Sequence, residues 1–310
     1  KGILIEHSRT NNNKSSVYQN NFTGWTLNQF QSQEYSSETA PDGSSNVILV
    51  SANTNNNTHY AYISHGGDNL TGARTISAWF KKIGTTIYYP QLRIFGSGNG
   101  VSYANFTLTG DGSINSGGSD TTAATIARYP NGWYRCTLSW NTTSTHYGGG
   151  WGVSNSATAE IPGFAGDTDI TKGFLVYGFQ DEAGAYPSSY IPTYGRTQTR
   201  GADLLVIDGD DSTALSDAYN DQEGTLVVEY FNSTNTDGAY ACTIDDGSGN
   251  NRFGISNSNS SQGISVSGGS SQGQLDNGTP IVGATNKMAH AYKLNDRGLS
   301  INGNDATQDN

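Results

Sequence analysis

Along the chain, β-branched, aromatic and other apolar residues come in short runs, many of them alternating with polar ones. Asn46–Val50, His59–Ser64, Thr75–Lys81, Tyr88–Phe95, Tyr103–Leu108, Trp133–Trp140, Gly173–Gln180, Gly224–Phe231, Ala239–Ile244 and Arg252–Ser256 each have the length and composition of a strand. Between them sit turn formers: Pro41-Asp42-Gly43, Gly66-Gly67-Asp68, Gly110-Asp111-Gly112, Pro130-Asn131-Gly132 and Asp246-Gly247. No long segment carries a 3.6-residue period, so the pattern predicts an all-β chain of sandwich or jelly-roll type. A short helical turn is predicted only near Thr213–Tyr219. Ser256–Gly278 has the Ser, Gly and Asn content of a linker, but Ile264 and Val266 alternate within it, which predicts hairpins with polar faces. There is no fixed-period repeat of the kind that builds a parallel β-helix.

The best domain boundary lies within Arg196–Asp208. Pro187-Ser188-Ser189-Tyr190-Ile191-Pro192-Thr193 is bracketed by prolines and reads as an extended exit from a first domain. A new strand-rich region starts near Leu204. The expected division is therefore residues 1–200 and residues 201–310, each a β-sandwich.

Composition narrows the functional classes. Charged residues make up only 14 % and apolar ones 34 % of the 310 residues, with 40 glycines. Disordered chains share that poverty of apolar residues but are also poor in aromatics. This chain has 18 Tyr, 10 Phe and 5 Trp, which predicts a folded protein of short strands and polar turns. Its net charge is −11 without a Lys/Arg cluster, so no nucleic-acid partner is expected, because such binding displaces counterions with clustered cations. No apolar run approaches the ~20 residues of a membrane-spanning helix, and no membrane insertion is expected. Cys136 and Cys242 are too few for a disulfide framework and lack metal-type spacing. They read as buried free thiols in separate domains. The first residue is Lys1, not Met, so the sequence reads as a fragment or a processed form.

For catalysis, no G-x-S-x-G elbow, H-E-x-x-H helix or phosphate-binding loop is present. His7, His59, His65, His146 and His290 are scattered. The expectation is a protein that is not an enzyme.

Several short motifs occur in a fixed order. The chain opens Gly2-Ile3-Leu4-Ile5-Glu6-His7-Ser8-Arg9-Thr10-Asn11. It continues with Phe22 and Trp25, Ala40-Pro41-Asp42-Gly43, and Ile76-Ser77-Ala78-Trp79-Phe80-Lys81. Then follow Asn131-Gly132-Trp133-Tyr134-Arg135-Cys136, Val176-Tyr177-Gly178-Phe179-Gln180-Asp181-Glu182, Ser188-Ser189-Tyr190-Ile191-Pro192-Thr193 and Thr199-Arg200-Gly201-Ala202-Asp203. This succession, over residues 2–203, resembles phage and prophage virion proteins whose first domain is a jelly roll like a carbohydrate-binding module. Glu223–Tyr230, Ala291–Asp296 and Leu299–Gly303 resemble the laminin-G or concanavalin-like sandwich that often follows in that family. About 105 residues are few for such a sandwich, so the second domain is expected to be truncated or completed by strands from elsewhere. Its first strand also lacks the clustered acidic motif of concanavalin-like hydrolases.

The resemblance implies a structural protein of a phage particle, of tail-fibre or capsid-fibre type, located on the extracellular virion. Its partners would be other virion proteins, cell-surface glycans and its own copies, as a homo-oligomer and, as in many fibres, a trimer. No coiled-coil seam is present. Two other readings share the fold: a secreted bacterial carbohydrate-binding module attached to a polysaccharide-degrading enzyme, and a connector without a ligand.

Sugar recognition calls for rigid aromatic faces flanked by planar polar side chains. The candidates are Trp79, Tyr88, Tyr89, Tyr103, Trp140, Tyr147 and Trp151. If Phe80 faces the core, alternation turns Trp79 outward, which makes it the first choice. Gly148-Gly149-Gly150-Trp151-Gly152 reads as a flexible loop presenting Trp151 to a ligand or to a neighbouring subunit. After the Asn131-Gly132 turn, Trp133 and Tyr134 should point to opposite faces, one in the core and one partly exposed. Arg135 and Arg9 are expected to pair with carboxylates such as Glu6 or Glu182. Related jelly rolls often hold a structural calcium ion, for which Asp42, Asp120, Asp167 and Asp169 supply carboxylates. No other cofactor is expected.

Overall fold

The computed structural model describes residues 6–309, except 7, 17–23, 36, 65–69, 85–86, 97–101, 203–219, 221, 233–239, 247, 259–261 and 294; the side chains of 33, 34, 70, 71, 96 and 142–147 are also left undescribed. The helical turn expected at Thr213–Tyr219 lies outside the described residues. The chain is all-β: 57 % is strand, and no α-helix occurs among the described residues. Its contacts divide it into two compact units, Lys1–Leu204 and Leu205–Asn310.

The first unit contains β1 (Arg9–Asn11), β2 (Trp25–Asn28), β3 (Phe30–Glu34), β4 (Ile48–Ala52), β5 (His59–Ser64), β6 (Leu70–Lys82), β7 (Tyr89–Gly96), β8 (Tyr103–Thr107), β9 (Ser113–Gly117), β10 (Thr121–Arg128), β11 (Trp133–Ser154), β12 (Phe174–Ala183) and β13 (Gln198–Arg200). It is a jelly-roll-like sandwich in which one strand belongs to both sheets. The 22-residue β11 pairs through its first half with β6 and β10. Through its second half it pairs with β5 and β7. The changeover coincides with register shifts between Thr142 and His146 and between His146 and Gly148. One sheet therefore runs β3-β4-β12-β6-β11-β10, and the other β2-β5-β11-β7-β8-β9.

Alternation sorts the side chains of both sheets. Ile76, Ala78 and Phe80 of β6, with Tyr134, Cys136 and Leu138 of β11, meet Trp151, Leu92, Ile94 and Ile63 from the other sheet in one core. Burying side chains of this size is worth roughly 1.5–3 kcal/mol each, and it is the main force holding the sheets together. Within the core, Arg74 and Asp181 form a buried ion pair at 2.5 Å. In β12 the residue Gly178 adopts φ +63 and inserts a bulge, so that Val176 and then Phe179 both face the core. A side chain there would also press on the ring of Trp79 at 3.0 Å.

The second unit contains β14 (Glu223–Asn232), β15 (Tyr240–Asp245), β16 (Arg252–Ser256), β17 (Gly263–Ser267), β18 (Ser270–Leu275), β19 (Ala284–Lys293), β20 (Asp296–Ile301) and β21 (Thr307–Asp309). They form two four-stranded antiparallel sheets, β14-β19-β20-β21 and β15-β16-β17-β18. The linker-like stretch Ser256–Gly278 folds mainly as the hairpin β17–β18. Ile255, Leu275, Met288, Leu299 and Ile301 form the core, with Leu226, Val228 and Tyr230 half-buried against it.

Candidate functional site: two unequal sheet faces

Each sheet of the first unit has an outward face, and the two differ. On the sheet containing β6, the outward residues Trp79, Trp133, Leu175, Tyr177 and Leu49 form a second core under Ala40, Val47 and Tyr190. Trp79 does lie opposite Phe80, as alternation predicts, yet it is only 4 % exposed. Tyr129, Tyr177 and Tyr190 surround its ring, and the Arg135 guanidinium lies 4.7 Å above it. The chain folds back over this face, so facing outward from the sheet does not mean facing water. For the same reason Trp133 and Tyr134 are both buried, against the expectation that one is partly exposed.

Several of the ordered motifs meet beside this closed face, whereas Trp25 packs in the main core, and Gly2–Ile5, His7, Phe22 and Asp203 lie outside the described residues. Asn11 donates to the Ile191 carbonyl (2.8 Å), and Asn13 to that of Phe179 (2.9 Å). Glu6 accepts from the Ser189 amide (2.7 Å) and pairs with Arg200 at 3.3 Å. β1 pairs with β13 beside them. Gln180 binds Glu182 and the Ile191 amide. Burial pushes the Glu182 carboxyl up, against hydrogen bonds from Ser188 and Gln180 that pull it down. Arg135 donates to the Ser188 carbonyl (2.6 Å) and the Ser77 hydroxyl (3.2 Å), and Arg9 to the Ala183 carbonyl (2.5 Å). Arg135 and Arg9 thus donate to carbonyl and hydroxyl oxygens; burial lowers the Arg135 pKa, and the expected carboxylates, Glu182 and Glu6, oppose that through their charge. These motifs form a clasp that ties Glu6, Arg9, Asn11 and Asn13 and the 185–200 segment to one another and to β12. Buried polar groups need hydrogen-bond partners of this kind.

The outward face of the other sheet carries a row of registered side chains that crosses five strands. Tyr62 of β5 faces Gly150 of β11, which faces Arg93 of β7, then Tyr103 of β8 and Gly117 of β9. Tyr60 and Phe95 flank the row. Tyr62 and Phe95 stack at 4.7 Å, and Tyr60 lies 5.1 Å from Phe95. Their strands stand two spacings apart, ~10 Å, so the rings meet only by reaching over β11. The glycines allow this: a Cβ on Gly150 would lie 2.1 Å from the Ala61 carbonyl oxygen and 2.8 Å from Cβ of Tyr62. Arg93 lies 5.4 Å from the Phe95 ring centre and 2.9 Å from Glu160. Tyr103 rests against Gly117, where a Cβ would come within 2.7 Å of its hydroxyl. Tyr60, Tyr62, Phe95 and Tyr103 are all half-buried.

One end of this face is walled by residues 155–164. The Ala159 carbonyl accepts from Gln91 (3.1 Å) and Asn105 (2.9 Å). Phe164 bridges Asn57 through both backbone groups, and Ile161 is buried at φ +25.

Of the expected sugar-binding aromatics, Tyr89 and Tyr103 fall on this face, both half-buried. Tyr88 (7 % exposed), Trp140 (1 %) and Trp151 (0 %) are core residues. Like Trp79, they present no surface on which a sugar could stack. Tyr147 lies in β11, and its side chain is outside the described set. The glycine-rich stretch around Trp151 is the second half of β11, not a loop: Gly148, Gly150 and Gly152 lie on its outward side, Gly149 faces the core beside Ile76 and Phe179, and Trp151 packs on Trp25 and Phe30. Tyr60, Tyr62, Arg93 and Phe95 escaped the sequence reading. The alternation His59-Tyr60-Ala61-Tyr62-Ile63 was their signal, with both tyrosines on the face opposite Ala61 and Ile63.

The calcium carboxylates are dispersed. Asp42 accepts from the Tyr177 hydroxyl and the Ser44 amide; burial raises its pKa, and these bonds outweigh that and leave it lowered. Asp167 holds Lys172, Asp169 caps the turn Ile170–Lys172 through Thr171, and Asp120 accepts from Ser119. Among the described residues, no three His, Cys, Asp or Glu side chains are grouped to hold a metal ion. Cys136 is buried, and Cys242 half-buried. No protein-family model and no curated protein matches the chain.

Proposed function

We propose that the chain is a non-enzymatic structural component of a bacteriophage particle, of tail-fibre or capsid-fibre type, that makes weak multivalent contacts with surface glycans. The observation that carries the glycan part is the contrast between the sheet faces of the first unit: one is sealed by the chain itself, and the other offers an aromatic row with an ion pair at its centre. Aromatic rings provide large, rigid contact area at low entropic cost. A single shallow site of this kind binds weakly, and many copies on one particle turn weak contacts into firm attachment. The virion part is carried by the ordered motifs of the clasp and their resemblance to virion proteins. The chain would assemble with other virion proteins and with its own copies.

Mass spectrometry and cryo-EM of purified particles test the first part. The expected result is the chain as a symmetric projection on capsid or tail. Finding it instead beside a catalytic domain in a secreted protein refutes the virion reading. A glycan array with the full chain tests the second part, and the absence of any bound glycan refutes it.

A further inference from the structure

We infer that the open sheet face binds an uncharged oligosaccharide laid across the strands, along the row Tyr62–Gly150–Arg93–Tyr103, with Arg93 and Glu160 reading its hydroxyl groups. The inference rests on the glycan reading above and adds the site, the orientation and the ligand class.

Orientation follows from register. Tyr62 and Tyr103 belong to one row and stand three strand spacings apart, ~14 Å. That distance exceeds one sugar ring, so a ligand touching both runs across the strands as a chain of several sugars. The wall at 155–164 closes the neighbouring row, where Gln91 and Asn105 are buried under Ala159. A ligand running along the strands would meet that wall.

The ligand class follows from charge. Arg93 and Glu160 neutralise each other at 2.9 Å. The pair presents N–H donors beside carboxylate acceptors, which suits adjacent hydroxyls that each donate and accept. A polyanionic glycan would meet Glu160 and a chain of net charge −11, and a cationic one would meet Arg93. The face is also organised in advance. Its rings are stacked on one another and its wall is hydrogen-bonded, so binding orders little. A protein partner would need about 800 Å² of surface with anchors to insert, whereas these side chains are already half-buried against each other.

The test is an array of neutral oligosaccharides (β-1,4-glucan, α-1,4-glucan and β-1,4-mannan hexamers) and acidic ones (polygalacturonate and sulfated hexamers), probed with the full chain. Titration calorimetry of the strongest hit at low and high salt follows. The result expected is a neutral hit whose affinity is unchanged by salt and falls about tenfold or more in Tyr62→Ala and Tyr103→Ala. Glu160→Gln is the second, milder variant, and tryptophan fluorescence checks the folding of all three. An acidic, salt-sensitive hit overturns the ligand class. A hit that survives both tyrosine variants overturns the site and leaves the glycan reading standing, and no hit at all overturns both. A dimer in sedimentation that Tyr62→Ala dissociates overturns the inference too, by giving the row to a second copy of the chain.

Discussion

Gly150→Ala should destabilise the first unit far more than a single methyl group suggests. The added Cβ would sit 2.1 Å from the Ala61 carbonyl oxygen, whereas real Cβ contacts do not fall below 3.0 Å. The obstacle is backbone, so β5 must retreat from β11 by about 1 Å. That weakens ladder hydrogen bonds worth ~1 kcal/mol each and strains the core beneath. Overpacking of this kind typically costs ~1–3 kcal/mol, and the upper end applies where backbone must move. For a unit of this size, ~3 kcal/mol lowers Tm by roughly 6–12 °C. Gly201→Ala is the control, since nothing lies within 4 Å of its Cβ position. All 5 tryptophans (Trp25, Trp79, Trp133, Trp140 and Trp151) lie in the first unit, so thermal unfolding followed by tryptophan fluorescence reports on that unit alone. A Tm for Gly150→Ala within about 2 °C of the control would show that the glycine row is not needed for the close approach of β5.

Arg74→Met removes the cation paired with the buried Asp181 carboxylate and should cost ~3–5 kcal/mol in urea unfolding, while Arg74→Met with Asp181→Leu recovers much of that. Equal losses in the single and double variants would disprove the pairing argument. In the second unit, burial lowers His290 from 6.5 to about 4, with Arg297 adding to the effect and a bond to the Gly254 carbonyl opposing it. A depressed folded pKa means that the unfolded chain takes up the proton first. The contribution is therefore complete above about pH 6.5 and is lost as pH falls toward 4, on the order of 3 kcal/mol at most. The urea midpoint of hydrogen exchange in Ala284–Lys293 at pH 7 and pH 4 measures it. His290→Leu should flatten this dependence, and an unchanged acid limb would assign it to other groups.

The all-β class was legible because alternation and turn residues act locally. Segments such as His59–Ser64 and Arg252–Ser256 are strands over the residues their patterns mark. Ser113–Gly117 and Thr121–Arg128 were not legible, since Ser, Asn, Gly and Ala carry little β preference and pairing alone makes them strands. β11 was read as ending at Trp140, because the Gly-rich sequence after it looks like a loop. What keeps it extended is β5 on one side and β7 on the other. The site was half legible. Parity placed Trp79 on the correct side of its strand but could not show that residues distant in sequence would cover it. It could have found Tyr60 and Tyr62, yet not that they meet Phe95 across a glycine strand, which is a fact of tertiary register.

A strand that belongs to both sheets also changes how the first unit can come apart. In a sandwich of separate sheets, load can peel one layer from the other while each keeps its ladders. Here β11 runs through both layers, so separating them means shearing the pairs of β11 with β6 and β10 or with β5 and β7 all together. Failure under tension is then all-or-none. A module built this way would hold its shape while tugged from either end until it gives way in one step, a useful property in anything that tethers one moving body to another.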